Sequence, residues 1–161
     1  MKCVIDSSAL RWLEKINHIE LLKDLYDILF IPFGVKQQIF NIPTLNKFIQ
    51  NSVKIFEPQN REDYNQRISE LLNKLNWKDP VDIEVLLTYH KTNSNEMLFA
   101  NKEAGRRFGA YGVVRDIAHL YNLAESKNIF NRDKSIEYLN KLIRYDYRTK
   151  ELRFLIDKLL F

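Results

Sequence analysis

Four short apolar runs constrain this chain more than any other feature of it. "CVI" at residues 3–5 and "ILFIP" at 28–32 carry no polar alternation, the pattern of strands buried on both faces of a parallel sheet. "SVKIFEP" at 52–58 and "EMLFAN" at 96–101 are a third and fourth strand candidate, the former again closed by a proline. Helical patterns fill the spaces between them. Leu10, Leu13 and Ile16 fall on roughly one face after Ser7 or Ser8, either of which can cap the helix. Further helices are expected over 19–26, the short "GVKQQIF", 44–50 and 60–76. "DPVDIEVLLTYHK" opens with Asp-Pro, a good helix start. The rest reads as helical over 111–125, 134–144 and 149–160. Strands alternating with helices define an α/β fold with a mostly parallel sheet of about four strands. The chain of 161 residues is read as one domain, 1–161, with a helical C-terminal extension from about 126.

Composition removes several classes. No segment approaches the roughly 20 consecutive apolar residues of a membrane span. The start lacks the long apolar core of a secretory signal. One cysteine, Cys3, forbids an internal disulfide and suits a reducing cytoplasm. His18, His90 and His119 are too scattered for a zinc site of the Cys/His kind. Charge is uneven. Residues 1–101 carry 12 basic and 13 acidic side chains, whereas residues 102–161 carry 13 and 8. The basic second part suits a polyanion such as nucleic acid, although a lysine-rich solvated face has the same composition. Gly105, Gly109 and Gly112 crowd into one stretch, where the chain bends or passes something closely.

The chemistry concentrates at the strand ends. Open parallel sheets bind ligands beyond the carboxyl ends of their strands, where strand order reverses. Asp6 ends the first strand, Asn101 ends the fourth candidate, and Asp82 and Glu84 lie near the start of the "DPVDIEVLL" helix. Converging carboxylates repel one another unless a cation joins them, which points to Mg²⁺ or Mn²⁺. Such an ion assists in-line displacement at a phosphodiester. Each residue also has a plainer reading: Asp6 as a helix cap, Asp82 as a complement to the helix dipole, Glu84 as a solvated side chain, Ser8 as a cap. Lys102, Arg106 and Arg107 follow the fourth strand and can meet phosphates, or simply form a solvated face.

With these pieces in place the chain resembles the PIN-domain family, which includes the VapC toxins of toxin–antitoxin pairs. The resemblance rests on "VIDSSAL", "IPFGVKQQIF", "DPVDIEVLLTYHK" and "NEMLFANKEAGRRF", in the family's order over roughly residues 2–125. It implies a PIN-like, Rossmann-like three-layer fold and Mg²⁺- or Mn²⁺-dependent cleavage of RNA. It also implies a cytoplasmic homodimer held by an antitoxin. Asp6 matches the first family acid and Asp82 the third, with Glu84 as an auxiliary and Ser8 in support. Gln38 stands where the family has glutamate, and Asn101 where it usually has aspartate. Amides can ligate through oxygen but bring no charge, so the expected centre is one weakly held ion on Asp6, Asp82 and Asn101 rather than two. The stretch "KEAGRRFGAYGVV" is short for the helix and further strand that the family places there.

Two functions follow. One is a metal-dependent ribonuclease, an endonuclease of toxin type. The other is a catalytically impaired PIN-like module that binds nucleic acid or assembles with protein. A phosphatase of the haloacid type is set aside, because it needs a second aspartate where this chain has Ser8. The tail mixes Tyr145, Tyr147 and Phe154 with Arg148 and Arg153. Its stripe of Leu152, Leu155, Ile156 and Leu159 favours a helix packed on the core or on a second subunit.

Overall fold

The computed structural model describes residues 1–145. Its strands are β1 (Lys2–Ile5), β2 (Ile28–Pro32), β3 (Val53–Phe56), β4 (Glu96–Leu98) and β5 (Val114–Arg115). They form one five-stranded sheet in the order β3-β2-β1-β4-β5, and every pairing is parallel. The helices that flank it are α1 (Ser7–Lys15), α2 (Leu21–Leu25), α3 (Phe33–Ile39), α4 (Pro43–Ser52) and α5 (Arg61–Leu75). They continue with α6 (Pro80–Thr92), α7 (Lys102–Phe108), α8 (Ile117–Ser126) and α9 (Arg132–Arg144). This is the parallel α/β architecture that the strand pattern implies, with five strands rather than about four, and it fits the fold that the PIN-domain resemblance implies. Among the described residues no helix is long and apolar enough to cross a membrane.

Strand order dictates where the site lies. The chain runs outward from β1 through β2 to β3, then returns by α5 and α6 to place β4 on the opposite side of β1. Right-handed crossovers that step in opposite directions put their helices on opposite faces. The reversal therefore leaves a crevice between the carboxyl ends of β1 and β4. The unalternating runs are unalternating because both faces are covered: Cys3, Val4, Ile5, Met97 and Leu98 have no exposure. Helix ends use local chemistry the sequence advertises. Asn60 caps α5 by accepting from the Glu62 and Asp63 amides, while Asn76 and Asn93 end α5 and α6 in the left-handed region at φ 48°.

Two expectations change. The single helix expected over 111–125 is divided into β5 and α8, with Asp116 capping α8. The short stretch after Asn101 does hold both a helix and a strand, because α7 takes only seven residues and β5 two. The ladder at β5 comes from its neighbour: Met97 donates to the Val113 carbonyl at 2.8 Å and Phe99 to the Arg115 carbonyl at 2.9 Å. Gly112 makes the approach feasible, since a Cβ there would lie 2.5 Å from the Tyr89 ring and 3.0 Å from Met97. The close passage expected of the glycine cluster thus falls on Gly112. The described part of the C-terminal extension packs through His18, whose Nδ1 lies 2.9 Å from the Tyr121 hydroxyl and whose ring meets Tyr138 edge-on. The expected helix over 149–160 and its apolar stripe, with Tyr147, Arg148, Arg153 and Phe154, lie outside the described residues.

Candidate active site

Asp6 stands at the strand-order reversal. Its amide donates to the Leu98 carbonyl at 3.0 Å, which ties the tip of β1 to the end of β4. The residue is only 3% exposed. Its carboxylate is itself the N-cap of α1, the plainer of its two readings, in place of Ser7 or Ser8: Oδ2 accepts from the Ser8 amide at 3.0 Å and also from the Ser8 hydroxyl. The cap and the candidate ligand are therefore one group, and Ser8 fixes its orientation. Burial raises the Asp6 pKa above the usual carboxylate value, the Ser8 and Ser7 hydrogen bonds oppose that, and the charge of Asp79 adds to it.

Asp82 comes to the same crevice from α6. Asp79 caps that helix by accepting from the Val81 amide at 2.9 Å, and Pro80 occupies its first turn. Asp82, one turn in, is 6% exposed and accepts from the Trp77 indole N–H at 3.0 Å. Its pKa is pushed up to about 7, first by burial and then by the charges of Asp6 and Asp79, with the Trp77 bond pulling the other way. Trp77 is held in turn by edge-on packing against Phe108 at 5.3 Å. In a Trp77→Phe variant the packing remains and the donor is lost, so the Asp82 pKa is expected to climb above 7. An NMR pH titration of its side-chain carboxyl checks this, and an unchanged value removes Trp77 from the site.

The remaining acids and amides occupy the rim. Asp79 was not singled out in the sequence, yet its charge acts on Asp6, Asp82 and Glu84 alike. The available signal was its i, i+3 spacing to Asp82 across the helix start, which puts both carboxylates on one side. Glu84 points elsewhere: Oε2 accepts from the Gly34 amide at 3.1 Å, binding α6 to α3. A Cβ at position 34 would lie 2.5 Å from Glu84 Oε1 and would force the carboxylate to shift. Burial raises the Glu84 pKa, against the Gly34 bond, and Asp79 raises it further. Gln38 lies beside α1, where Oε1 accepts from the Ser7 hydroxyl at 2.5 Å and its carbonyl accepts from Arg11 at 2.6 Å. Asn101 is exposed and caps α7, with Oδ1 accepting from the Glu103 and Ala104 amides at 2.9 and 3.3 Å. Lys102, Arg106 and Arg107 are exposed on α7, just past that cap.

The donor set suits one divalent cation and not two. Asp6 and Asp82 are buried, Asp6 bears on Asp82 as a like charge, and among the described residues they are relieved by hydrogen bonds rather than by a lysine or arginine. Uncompensated buried carboxylates favour a metal ion, and Mg²⁺ is ordinarily held by one or two carboxylates with water and substrate phosphates completing the shell. As the side chains stand, no group of three or more His, Cys, Asp or Glu among the described residues is gathered to hold a metal ion.

A parallel sheet of order β3-β2-β1-β4-β5, with buried aspartates after β1 and on α6 at its reversal, defines an open α/β protein with a ligand crevice at its switch point. Comparison with protein families makes this specific. The family model for the PIN domain, a nuclease fold, matches residues 2–154, and the chain belongs to the PIN-domain family. Comparisons with curated proteins and with solved structures give no match.

Proposed function

We propose that this protein is a metal-dependent endoribonuclease, the toxin partner of an antitoxin protein, working as a homodimer in the cytoplasm. The observation that carries the reading is the Asp6–Asp82 pair, buried at the reversal of strand order, with no cation among the described residues acting on it. Asp6 and Asp82 would hold a single Mg²⁺ or Mn²⁺, with Asn101 at the edge. Such an ion supplies Lewis acidity toward phosphate oxygens. The chain does the positioning. Ser8 locks the Asp6 carboxylate and Trp77 locks that of Asp82, while Asp79 deepens the negative field. Glu84 acts through Gly34 to set α3 against α6. Lys102, Arg106 and Arg107 supply charge for the RNA backbone, which needs contacts without sequence preference.

The test is a calorimetric Mn²⁺ titration of the wild-type chain beside Asp6→Asn, followed by incubation of both with RNA. Wild-type protein is expected to bind Mn²⁺ and cleave, and Asp6→Asn to do neither. Equal binding by the two proteins refutes the assigned ligands. Absent binding, with RNA present or without it, favours a second reading, a PIN module that binds without cutting. A specific observation supports that reading too: the oxygens of both substituted amides, Gln38 and Asn101, already accept hydrogen bonds.

A further inference from the structure

A second concavity lies past Asn101, between α7, β5 and the start of α8. Its volume is about 410 Å³, and its wall carries Lys102, Arg106, Arg115 and His119, with Asp116 at one side and Phe99 behind. Two of these basic groups, Arg115 and His119, are placed by a buried acid, while Lys102 and Arg106 are exposed on α7. Glu96, on β4 and 5% exposed, accepts from the Tyr26 hydroxyl. The same carboxylate accepts from Arg115 Nε at 3.5 Å and lies 3.9 Å from His119 Nε2. Arg115 is thus anchored through Nε, its side chain is 43% exposed, and its terminal nitrogens make no hydrogen bond among the described residues. Asp116 accepts from the His119 amide at 3.0 Å, so its charge already serves the start of α8. The volume exceeds what a bare phosphate needs and lies within the roughly 300–1,000 Å³ of small-molecule sites. Half-buried Val114 adds an apolar wall of the kind a base or ribose covers, while Phe99, 1% exposed, is stacked on Phe108.

We propose that this cavity is a nucleotide subsite that seats one nucleotide of a bound strand, phosphate toward Arg106 and Arg115 and base toward Val114. The assignment of the strand as substrate rests on the ribonuclease reading; the binding itself does not, because no residue of the Asp6–Asp82 pair lines the cavity.

The experiment titrates the full chain with a nucleoside 5′-monophosphate in EDTA, and separately with inorganic phosphate. The proteins are wild type, Arg115→Gln, Arg106→Gln and Asp6→Asn. Wild type and Asp6→Asn are expected to bind the nucleotide equally, each arginine variant about tenfold more weakly, and inorganic phosphate more weakly still. Arg106→Gln guards against misfolding of Arg115→Gln, since Arg106 is exposed and its loss leaves Glu96 paired. The proposal is overturned if wild type does not bind the nucleotide, if Arg106→Gln binds it as well as wild type, or if phosphate alone binds as tightly. Nucleotide binding by a chain that takes no Mn²⁺ leaves the subsite standing and the nuclease reading refuted; RNA cleavage without nucleotide binding does the reverse.

Discussion

An Asp82→Asn variant is expected to lose cleavage by about a hundredfold or more while becoming the more stable protein at pH 8. The loss follows from removing a candidate ligand, since even the outer partners of a metal site are worth 10–100-fold. The gain follows from electrostatics. Asp82 has an ordinary pKa of 3.8 and is pushed up to about 7, so the native state holds this proton more tightly than the unfolded chain. Below pH 4 the group is protonated in both states and contributes no difference. Between about pH 4 and 7 the unfolded chain releases the proton first, and stability falls as pH rises. Above about pH 8 the penalty is complete, on the order of 4 kcal/mol. Asparagine keeps the shape and never ionises. Thermal melts without divalent ions should therefore coincide for the two proteins near pH 4, and separate in favour of the variant as pH rises. A constant gap across pH would show that Asp82 carries no buried charge. Saturating Mn²⁺ is expected to close the gap by stabilising wild type alone, by about 2.7 kcal/mol at a hundred times Kd.

Restoring the two missing carboxylates is expected to strengthen the site rather than damage the fold. Glutamate at position 38 can accept the same Ser7 hydrogen bond and brings a third negative charge beside Asp6. Aspartate at 101 caps a helix as well as asparagine, so α7 keeps its start. A unit charge pair at 4 Å is worth about 4 kcal/mol at an effective dielectric of 20, and a divalent ion doubles it before desolvation removes most. The double variant Gln38→Glu/Asn101→Asp should bind Mn²⁺ more than about tenfold tighter than wild type, and cut RNA faster. Without metal it should melt at a lower temperature at pH 8, because the added charges repel Asp6 and Asp82. Calorimetry and melting together decide the matter. Unchanged affinity would mean that the crevice has been remodelled for binding, and the amides are part of that remodelling.

The buried strands, the carboxylate at the tip of the first and the Asp-Pro start of α6 were legible because each has a local cause. Unalternating apolar runs need cover on both faces, and an acid after a strand either caps a helix or serves a site; Asp6 does the first and is placed for the second. Other features have no local signature. β5 is two residues long and exists through hydrogen bonds to Met97 and Phe99 and the space that Gly112 leaves beside Tyr89. Glu84 reads as a solvated helix residue until Gly34, fifty positions away in the chain, offers its amide.

What the sequence determined by itself is the parallel α/β fold and the presence of aspartates at the end of β1 and the start of α6, because hydrophobic pattern, capping and proline act over a few residues. The tertiary structure alone decided which acids share one field. Asp79 joined Asp6 and Asp82, Glu84 turned to α3, and Trp77 and Glu96 became the supports of two neighbouring sites. Burial and charge coupling depend on distance in space, and neighbours along the chain do not report it.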